Sequence, residues 1–313
     1  MNRMRIVVAL GGNALTAPDG QARPEDQQAA VERTMPHVAA LVAAGHEVVV
    51  THGNGPQVGN LLVKNEIAAS VVPPVPLDWC DAQTQGTIGM LIMNALGRCL
   101  AEQSLEPRVA ALVSRTLVDP ADDAFAKPSK PVGRFLSKDE AAVLIAHGET
   151  WEDRGTKGWR RVVPSPEPRA CLDADAARVL LEAGYVVTSG GGGGIPVVAE
   201  AGGYRGVEAV VDKDRVAAIL ARQLEAEVLM ILTDVDAVYA GWGTPAARPL
   251  RRLSLDEIDQ MIADGGVNEG GMKPKVEAAA DFVRGGGSRA IIARLNDGPA
   301  ALQGEAGTTI VRS

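Results

Sequence analysis

The stretch EVVVTHGNGPQVG, residues 47–59, contains the pattern that decides the fold. It begins with apolar, mostly β-branched residues, which are typical of a strand buried on both faces. The run leads into a loop with three glycines, which destabilise regular structure and so need a reason. The same order, an apolar run followed by glycines, occurs in RIVVALGGN (5–13) and GYVVTSGGGGG (184–194). We therefore expect three glycine loops at the ends of buried strands.

Five apolar runs predict strands: 5–10, 46–51, 108–113, 184–189 and 227–233. Helical patterns lie between them, at 25–44, 81–103, 173–183 and 213–225. This alternation predicts an α/β fold with a mainly parallel sheet, in which ligands bind at the carboxyl ends of the strands. Pro36 predicts a break or kink in the first helix, while Gly45 and Gly184 stand where C-terminal glycine caps belong.

Residues 118–168 interrupt this alternation. VDPADDAFAKPSKPVGRF and DRGTKGWRRVVPSPEP are rich in Pro, Asp, Lys and Arg. Insertions fall in surface connections, so the segment predicts either a small subdomain that projects from the sheet or a long surface loop.

The composition restricts the class of protein. Of the 313 residues, 46% are hydrophobic and only 3% aromatic, so the core must be built from aliphatic side chains. The formal net charge of −8 argues against a general nucleic-acid surface. The three cysteines favour neither a disulfide framework nor a cysteine zinc site, and no apolar stretch is long enough to span a bilayer. We expect a cytoplasmic protein with no membrane anchor.

The familiar nucleotide and hydrolase signatures are missing from the sequence. GxxxxGK[ST] and GxGxxG do not occur, so the P-loop and standard dinucleotide interpretations lose support. HExxH and GxSxG are also missing, which argues against a zinc protease and a serine hydrolase. A nicotinamide dehydrogenase is therefore a distant alternative.

Two glycine loops, GGN at 11–13 and GNG at 53–55, would point backbone amides and a following helix N-terminus into one crevice. This arrangement favours an anion, although either loop alone is equally consistent with a tight turn between strand and helix. For the glycine run 190–194, the sequence leaves open whether its amides contact a ligand or only make room.

Two lysine motifs stand where helices begin. VVDKD (210–214) precedes a helical pattern, and in GGMKPK (270–275) Pro274 opens another. A lysine at a helix N-terminus opposes the macrodipole, so a nearby anion would explain it. Lys213 is predicted to face a phosphate; the alternative is a capped helix with solvated charges.

Motifs along nearly the whole chain are similar to those of carbamate kinases, a family within the amino acid kinase superfamily. They are VALGGNAL, VVTHGNGPQVG, PLDWCDAQTQGTIGM, KPSKPVG, KGWRRVVPSP, GGGGIPV, VEAVVDKD, LTDVDAVY, GGMKPKVEAA and GTTIV. THGNGPQVG, SKPVG and KGWRRVVPSP are hallmarks of that family, whereas the GGN and TDVD motifs occur more widely in the superfamily.

The resemblance implies an open αβα sandwich of two lobes, residues 1–205 on the carbamoyl phosphate side and 206–313 on the nucleotide side. A small subdomain would project at about 118–168, and the molecule would be a homodimer. The implied reaction is the reversible conversion of ADP and carbamoyl phosphate to ATP and carbamate, with Mg²⁺, in arginine catabolism.

The resemblance also implies the site residues. The catalytic set is Lys130, Lys213, Asp214 and Lys275; Lys127 is a weaker candidate for the place of Lys130. The phosphoryl group would be surrounded by Gly11, Gly12, Asn13, Gly53, Asn54, Gly55, Gly192 and Gly193. The nucleotide would contact Thr233, Asp234, Asp236, Tyr239 and Met272. No protein-bound metal is implied.

Two departures from the family pattern bear on this site: Arg134 stands where the family commonly has Pro, and Gly271 where it commonly has Ser. Two alternative functions stay open at this point. One is an amino acid kinase that acts on acetylglutamate, aspartate or a phosphonate, and the other is a catalytically idle nucleotide-binding module.

Overall fold

The computed structural model describes residues 3–16, 22–267 and 271–313, with Asn13 described by its backbone only. The predicted role of the Asn13 side chain therefore lies outside the described residues. The α-helices are α1 (Pro24–Ala43), α2 (Gly55–Ala68), α3 (Leu77–Glu102), α4 (Lys138–Ala146), α5 (Ala174–Glu182), α6 (Lys213–Gln223), α7 (Leu255–Ala263), α8 (Lys273–Arg284) and α9 (Gly298–Leu302).

The first seven strands along the chain are β1 (Arg5–Leu10), β2 (Glu47–His52), β3 (Val109–Ala111), β4 (Arg115–Val118), β5 (Lys130–Leu136), β6 (Trp151–Asp153) and β7 (Trp159–Val163). Those that follow are β8 (Pro168–Cys171), β9 (Val186–Thr188), β10 (Ile195–Glu200), β11 (Gly203–Gly206), β12 (Val228–Thr233), β13 (Val238–Ala240), β14 (Arg248–Leu250), β15 (Arg252–Ser254), β16 (Arg289–Arg294) and β17 (Thr308–Val311).

An eight-stranded sheet in the order β15-β17-β16-β12-β1-β2-β9-β3 forms the centre of the molecule. Its neighbouring strands are parallel except for the β16 and β17 pair. The predicted parallel α/β fold is therefore confirmed. All five predicted strands lie in this sheet, although the run at 108–113 forms a strand only over Val109–Ala111.

Alternate residues of β1 enter two different cores. Val7 and Ala9 belong to a cluster that includes α6 and α8, whereas Val8 and Leu10 belong to one that includes α1 and α3. Since successive side chains of a strand point to opposite faces, the central sheet is covered by helices on both sides. This is the αβα sandwich that the resemblance implies.

At Pro36, where the sequence predicts a break or a kink, the break is wrong, because α1 continues from Pro24 to Ala43, and a kink stays a prediction. A proline inside a helix removes one backbone hydrogen bond. Here Met35 and Val38, on either side of the proline, are fully buried in the core beside α3, so tertiary packing stabilises the helix across the defect. The glycine caps are confirmed: Gly45 and Gly184 follow α1 and α5 with φ of +88° and +83°.

A separate three-stranded antiparallel sheet, β5-β7-β6, forms with α4 inside the segment 118–168. It has a small core of its own, which includes Leu136, Ala141 and Trp151. Another sheet has the strand order β11-β10-β4-β8. The division into two lobes at residue 205 stays a prediction.

Within the described ranges, no helix combines the length and the apolar content that crossing a membrane requires.

Candidate active site

Hydrogen bonds from glycine amides link the carboxyl ends of three parallel strands. Gly11 N donates to Leu232 O of β12 at 2.8 Å, and Gly53 N donates to Leu10 O of β1 at 3.1 Å. A methyl group added at Gly53 would lie only 3.3 Å from the Cα of Gly12. The two loops after β1 and β2 therefore touch, as expected for adjacent carboxyl ends of parallel strands.

Lysines from two helices meet on one buried carboxylate beside these loops. Lys213, the first residue of α6, places Nζ 2.6 Å from Asp214 Oδ1. Lys275, in the first turn of α8, places Nζ 3.2 Å from Asp214 Oδ2. Burial of Asp214 alone would raise the pKa of its carboxyl, but the two ammonium groups outweigh burial and hold that pKa below its usual value. Asp214 is therefore ionised and fixes both lysines.

The N-terminus of α6 is built by Asp212, the N-cap residue. Its Oδ1 accepts hydrogen bonds from the backbone N of Asp214 at 3.0 Å and of Arg215 at 3.4 Å. Its Oδ2 accepts a hydrogen bond from Nζ of Lys130 on β5 at 3.1 Å. The same carboxylate thus fixes the first turn of α6 and contacts the small subdomain.

A cavity of about 330 Å³ lies between the glycine loops and the lysines. Its lining includes Gly12, Gly53, Asn54, Lys130, Lys213 and Lys275. Gly55 and Gly192 also line it. Ammonium groups, a helix N-terminus and loop backbone around one space form a site for a small multivalent anion.

A second cavity, of about 370 Å³, begins at Lys275 and extends from the end of β12 to β13. Thr233, Asp234, Tyr239 and Met272 line it, together with Gly271. A smaller cavity of about 200 Å³, lined by Gly11, Gly12, Thr233 and Lys275, also borders both spaces. Lys275 thus lines all three cavities, and Gly12 and Thr233 each line two of them, so the anion cavity and the cavity at Tyr239 are adjacent.

Comparison with known proteins accounts for this arrangement. The model of the amino acid kinase family matches residues 4–294. The carbamate kinase of Pyrococcus horikoshii is 42% identical over 311 residues, covering 98% of each chain, and that of Halobacterium salinarum is 45% identical over 306 residues, covering 97% of each. The structure of carbamate kinase from Giardia lamblia bound to AMP-PNP matches with a TM-score of 0.94 at 37% identity, covering 99% of this chain and 98% of that one.

The chain belongs to the carbamate kinases of the amino acid kinase family.

In this carbamate kinase family member, Asp236 is the one predicted nucleotide residue that does not line the 370 Å³ cavity. Its Oδ1 instead accepts a hydrogen bond from the hydroxyl of Tyr239 at 3.0 Å. Trp242, which sequence analysis did not assign to the site, lines the cavity and packs edge-on against Tyr239, with 5.2 Å between ring centroids. A Cβ atom added at Gly271 would meet no described atom within 4 Å, so the position places no steric limit on a serine.

The glycine run 190–194 is required by the fold of this family member. Gly190, Gly192, Gly193 and Gly194 have positive φ. A methyl group at Gly193 would collide with the carbonyl oxygen of Val211, and one at Gly192 with the amide of Asn54. Only Gly192 lines the anion cavity, whereas the Gly193 carbonyl accepts from Thr116 Oγ1 at 2.8 Å. The run makes room for neighbouring groups; a contact of Gly192 or Gly193 with ligand stays a prediction.

Asp81 is a buried carboxylate that sequence analysis missed as a site residue. Asn54 Nδ2 donates to Asp81 Oδ1 at 3.0 Å and to Thr84 Oγ1 at 2.9 Å, both on α3. Burial raises the pKa of Asp81 to about 8, although the hydrogen bond from Asn54 opposes the shift. Its helical position carried the signal: Asp81 lies four residues after Leu77 and seven before Ile88, so the spacing places a carboxylate on the buried face of α3, where it needs a partner.

His52, at the end of β2, is packed rather than exposed to the cavity. It is buried, its Nδ1 lies 3.0 Å from the carbonyl oxygen of Gly53, and burial lowers the pKa of its ring to about 4.

The subdomain contributes Lys130 to the anion cavity, whereas Lys127 is exposed. A further cavity of about 640 Å³ continues from Lys130 under the subdomain and is lined by Arg134 and Arg160. Arg134 forms an ion pair with Glu66 of α2 at 2.9 Å, so the departure at this position adds a contact between the subdomain and the main body.

Over the part of the chain that the structure describes, no group of three or more His, Cys, Asp or Glu residues is arranged to hold a metal ion. Two carboxylates that line the anion cavity, Asp212 and Asp214, are already paired with lysines. These residues do not form a protein cage for Mg²⁺, which usually reaches such sites on substrate phosphates.

Proposed function

We propose that the protein catalyses reversible transfer of a phosphoryl group between carbamoyl phosphate and ADP, with ATP and carbamate as the other pair of reactants. The observation that carries the proposal is the convergence of Lys130, Lys213 and Lys275 on one anion cavity, with Lys275 also lining the cavity that reaches Tyr239. The relatives named above are carbamate kinases over their full lengths, and one of them binds AMP-PNP, an ATP analogue.

The phosphoryl group is proposed to lie in the 330 Å³ cavity, next to Gly12 and Gly53. Phosphoryl transfer passes through a loose, in-line transition state, so positioning and charge stabilisation supply most of the catalysis. Lys213 and Lys275 would stabilise the charge on the transferring oxygens. Asp214 would hold both ammonium groups in place, and Lys130 would contact carbamoyl phosphate from the subdomain.

The chemistry needs no general base. In the direction of ATP synthesis, an anionic oxygen of the ADP β-phosphate forms the new P–O bond. The bond from phosphorus to the carbamoyl oxygen breaks, and its electron pair leaves with carbamate. Both oxygens are anionic, so no proton has to move in this step. The buried and neutral His52 has no role in such a mechanism.

The nucleotide is proposed to occupy the 370 Å³ cavity, with Thr233, Asp234, Tyr239 and Met272 beside it. Asp236 would act through Tyr239, which it holds by a hydrogen bond. Mg²⁺ would arrive as part of the metal–nucleotide substrate and would neutralise phosphate charge. We also propose a cytoplasmic homodimer acting in arginine catabolism, as the resemblance implies.

The alternatives predict different substrates. An amino acid kinase for acetylglutamate, aspartate or a phosphonate would phosphorylate those acceptors from ATP, and an idle regulatory module would bind nucleotide without turnover. Retention of the three lysines and Asp214 around one cavity argues against the idle module.

A coupled assay for ATP formation from ADP and carbamoyl phosphate, with and without Mg²⁺, tests the proposal. We expect ATP formation that depends on Mg²⁺, and no phosphorylation of acetylglutamate or aspartate by ATP. ATP-dependent phosphorylation of one of those acceptors, with no ATP formed from carbamoyl phosphate, would overturn it.

A further inference from the structure

The charges around the anion cavity are balanced by two carboxylates. Asp214 is 4% exposed at its side chain and pairs with Lys213 and Lys275. Asp212 is 20% exposed and pairs with Lys130. Three ammonium groups against two carboxylates leave one net positive charge among these side chains before any anion binds. Asp212 therefore contributes half of the negative charge at the site.

Asp212 belongs to two parts of the molecule at once. Its Oδ1 caps α6 and its Oδ2 binds Lys130, which lies 82 residues away in sequence on β5. The ion pair joins the subdomain to the helix turn that carries Lys213. A carboxylate needs only one oxygen for the cap, so the second is available to fix the position of the subdomain lysine.

The Lys130–Asp212 ion pair also shields the anion cavity from the negative charge of Asp212. Asp212 lines the same space as Lys213 and Lys275, so its charge would repel an incoming phosphate dianion if it stood alone. The ammonium of Lys130, 3.1 Å away, cancels that charge. Because the Lys130 side chain is 39% exposed, the pair is open to solvent and can exchange partners when an anion arrives.

We propose that Asp212 is a positioning residue, which holds the Lys130 ammonium at the edge of the anion cavity, and that Lys130 in turn masks the Asp212 carboxylate from the anion. The inference rests on the proposed function for its kinetic consequence, but not for its effect on anion binding. It follows that removing Lys130 does two things: it removes a cation and it exposes a carboxylate.

The decisive test compares Lys130→Ala with the double variant Lys130→Ala/Asp212→Asn. Asparagine is as good an N-cap as aspartate, so α6 keeps its first turn while the charge is removed. We expect Lys130→Ala to weaken the binding of inorganic phosphate, measured by calorimetry. The double variant should bind phosphate about 10-fold more tightly than Lys130→Ala, because it no longer carries an unpaired, partly exposed negative charge beside the anion. Turnover of carbamoyl phosphate should likewise be higher in the double variant than in Lys130→Ala.

The single variant Asp212→Asn separates positioning from charge. Its loss of a negative charge favours anion binding, so KM for carbamoyl phosphate should not rise. Its Lys130 is no longer held, so kcat should fall by about 10-fold. A role for Asp212 in helix capping alone would leave both constants unchanged in this variant.

Glu66→Gln is the matched control, because it removes another ion pair that joins the subdomain to the main body, Arg134–Glu66, and neither residue lines the anion cavity. It should bind phosphate as the wild type does. Should Asp212→Asn lower the melting temperature, Asp212→Ser, which also caps, replaces it in the comparison.

A double variant that binds phosphate no better than Lys130→Ala would overturn the inference, whatever the wild type catalyses. A wild type that forms no ATP from carbamoyl phosphate would instead overturn the proposed function, and the order of phosphate affinities would still decide the role of Asp212.

Discussion

Asp214 accepts a hydrogen bond from Lys275, 61 residues away in sequence, at 3.2 Å between Oδ2 and Nζ. Its other oxygen holds Lys213 at 2.6 Å. One buried carboxylate therefore ties the N-termini of α6 and α8 together beside the phosphate loops. Because each lysine stands in the first turn of its helix, where the macrodipole repels cations, the carboxylate is needed to keep both in place.

Asp214→Asn should abolish this arrangement without changing the shape of the side chain. Two partly buried ammonium groups would lose their counter-ion, so we expect the free energy of unfolding at pH 7 to fall by about 3 kcal/mol and kcat to fall on the order of 100-fold. Urea unfolding and the coupled ATP assay measure these effects. Asp175→Asn, whose carboxylate is 97% exposed, is the control and should change neither.

The pH dependence of stability should change as well. The pKa of Asp214 is lowered in the folded state, so its contribution is present above the unfolded pKa of about 4 and is lost as the pH falls below it. The wild type should therefore lose its advantage over Asp214→Asn in acid. An advantage that stays constant down to pH 2 would contradict the ion-pair account.

Lys213 and Lys275 should differ in their effect on the nucleotide. Lys213 lines only the anion cavity, whereas Lys275 also lines the 370 Å³ cavity. We expect Lys213→Ala to lower kcat on the order of 100-fold with KM for ADP unchanged, and Lys275→Ala to lower kcat and raise that KM. Lys64→Ala, at an exposed lysine of α2, is the control. Equal effects of both substitutions on KM for ADP would contradict the assignment of the cavities.

Asp81 should make the protein less stable as the pH rises. Burial raises the pKa of Asp81 to about 8, so the folded state keeps a proton there that the unfolded chain releases near pH 4. The free energy of unfolding therefore falls between about pH 4 and pH 8. Asp81→Asn keeps an oxygen that can accept the hydrogen bond from Asn54, and it removes the carboxyl whose ionisation destabilises the folded state as the pH rises.

We expect Asp81→Asn to stabilise the protein by about 1 kcal/mol more at pH 8 than at pH 5, measured by urea unfolding at both values. Glu102→Gln, at an exposed glutamate at the end of α3, serves as the comparison and should show no such difference. A gain from Asp81→Asn that is the same at pH 5 and pH 8 would show that this carboxyl titrates normally in the folded protein.

Gly193→Ala should destabilise the protein, because the residue has φ of +97° and an added methyl group would collide with Val211 O. We expect a loss of more than about 1 kcal/mol in the free energy of unfolding. Gly86→Ala is the matched control: Gly86 lies on the exposed side of α3 with open space around it, and alanine there should stabilise the helix by up to about 1 kcal/mol. Unaltered stability of Gly193→Ala would mean that the loop adapts.

The sequence by itself determined the class of fold and the positions of the glycine loops. The run RIVVAL and its counterparts carry consecutive apolar residues without alternation, which is typical of strands buried on both faces. VVDKD and GGMKPK also predicted where α6 and α8 begin, because capping and proline preferences act within one helical turn. These signals are local, so they can be read without knowing the partners.

Only the tertiary structure decided which groups meet. Lys130 and Asp212, or Asn54 and Asp81, are far apart in sequence, and no local preference encodes their pairing. The continuity of α1 through Pro36 and the partner of Asp236 likewise depend on side chains from other elements. Hydrogen bonds, ion pairs and burial act through space, so the pKa values and the charge balance of the site follow from packing rather than from any single segment of the chain.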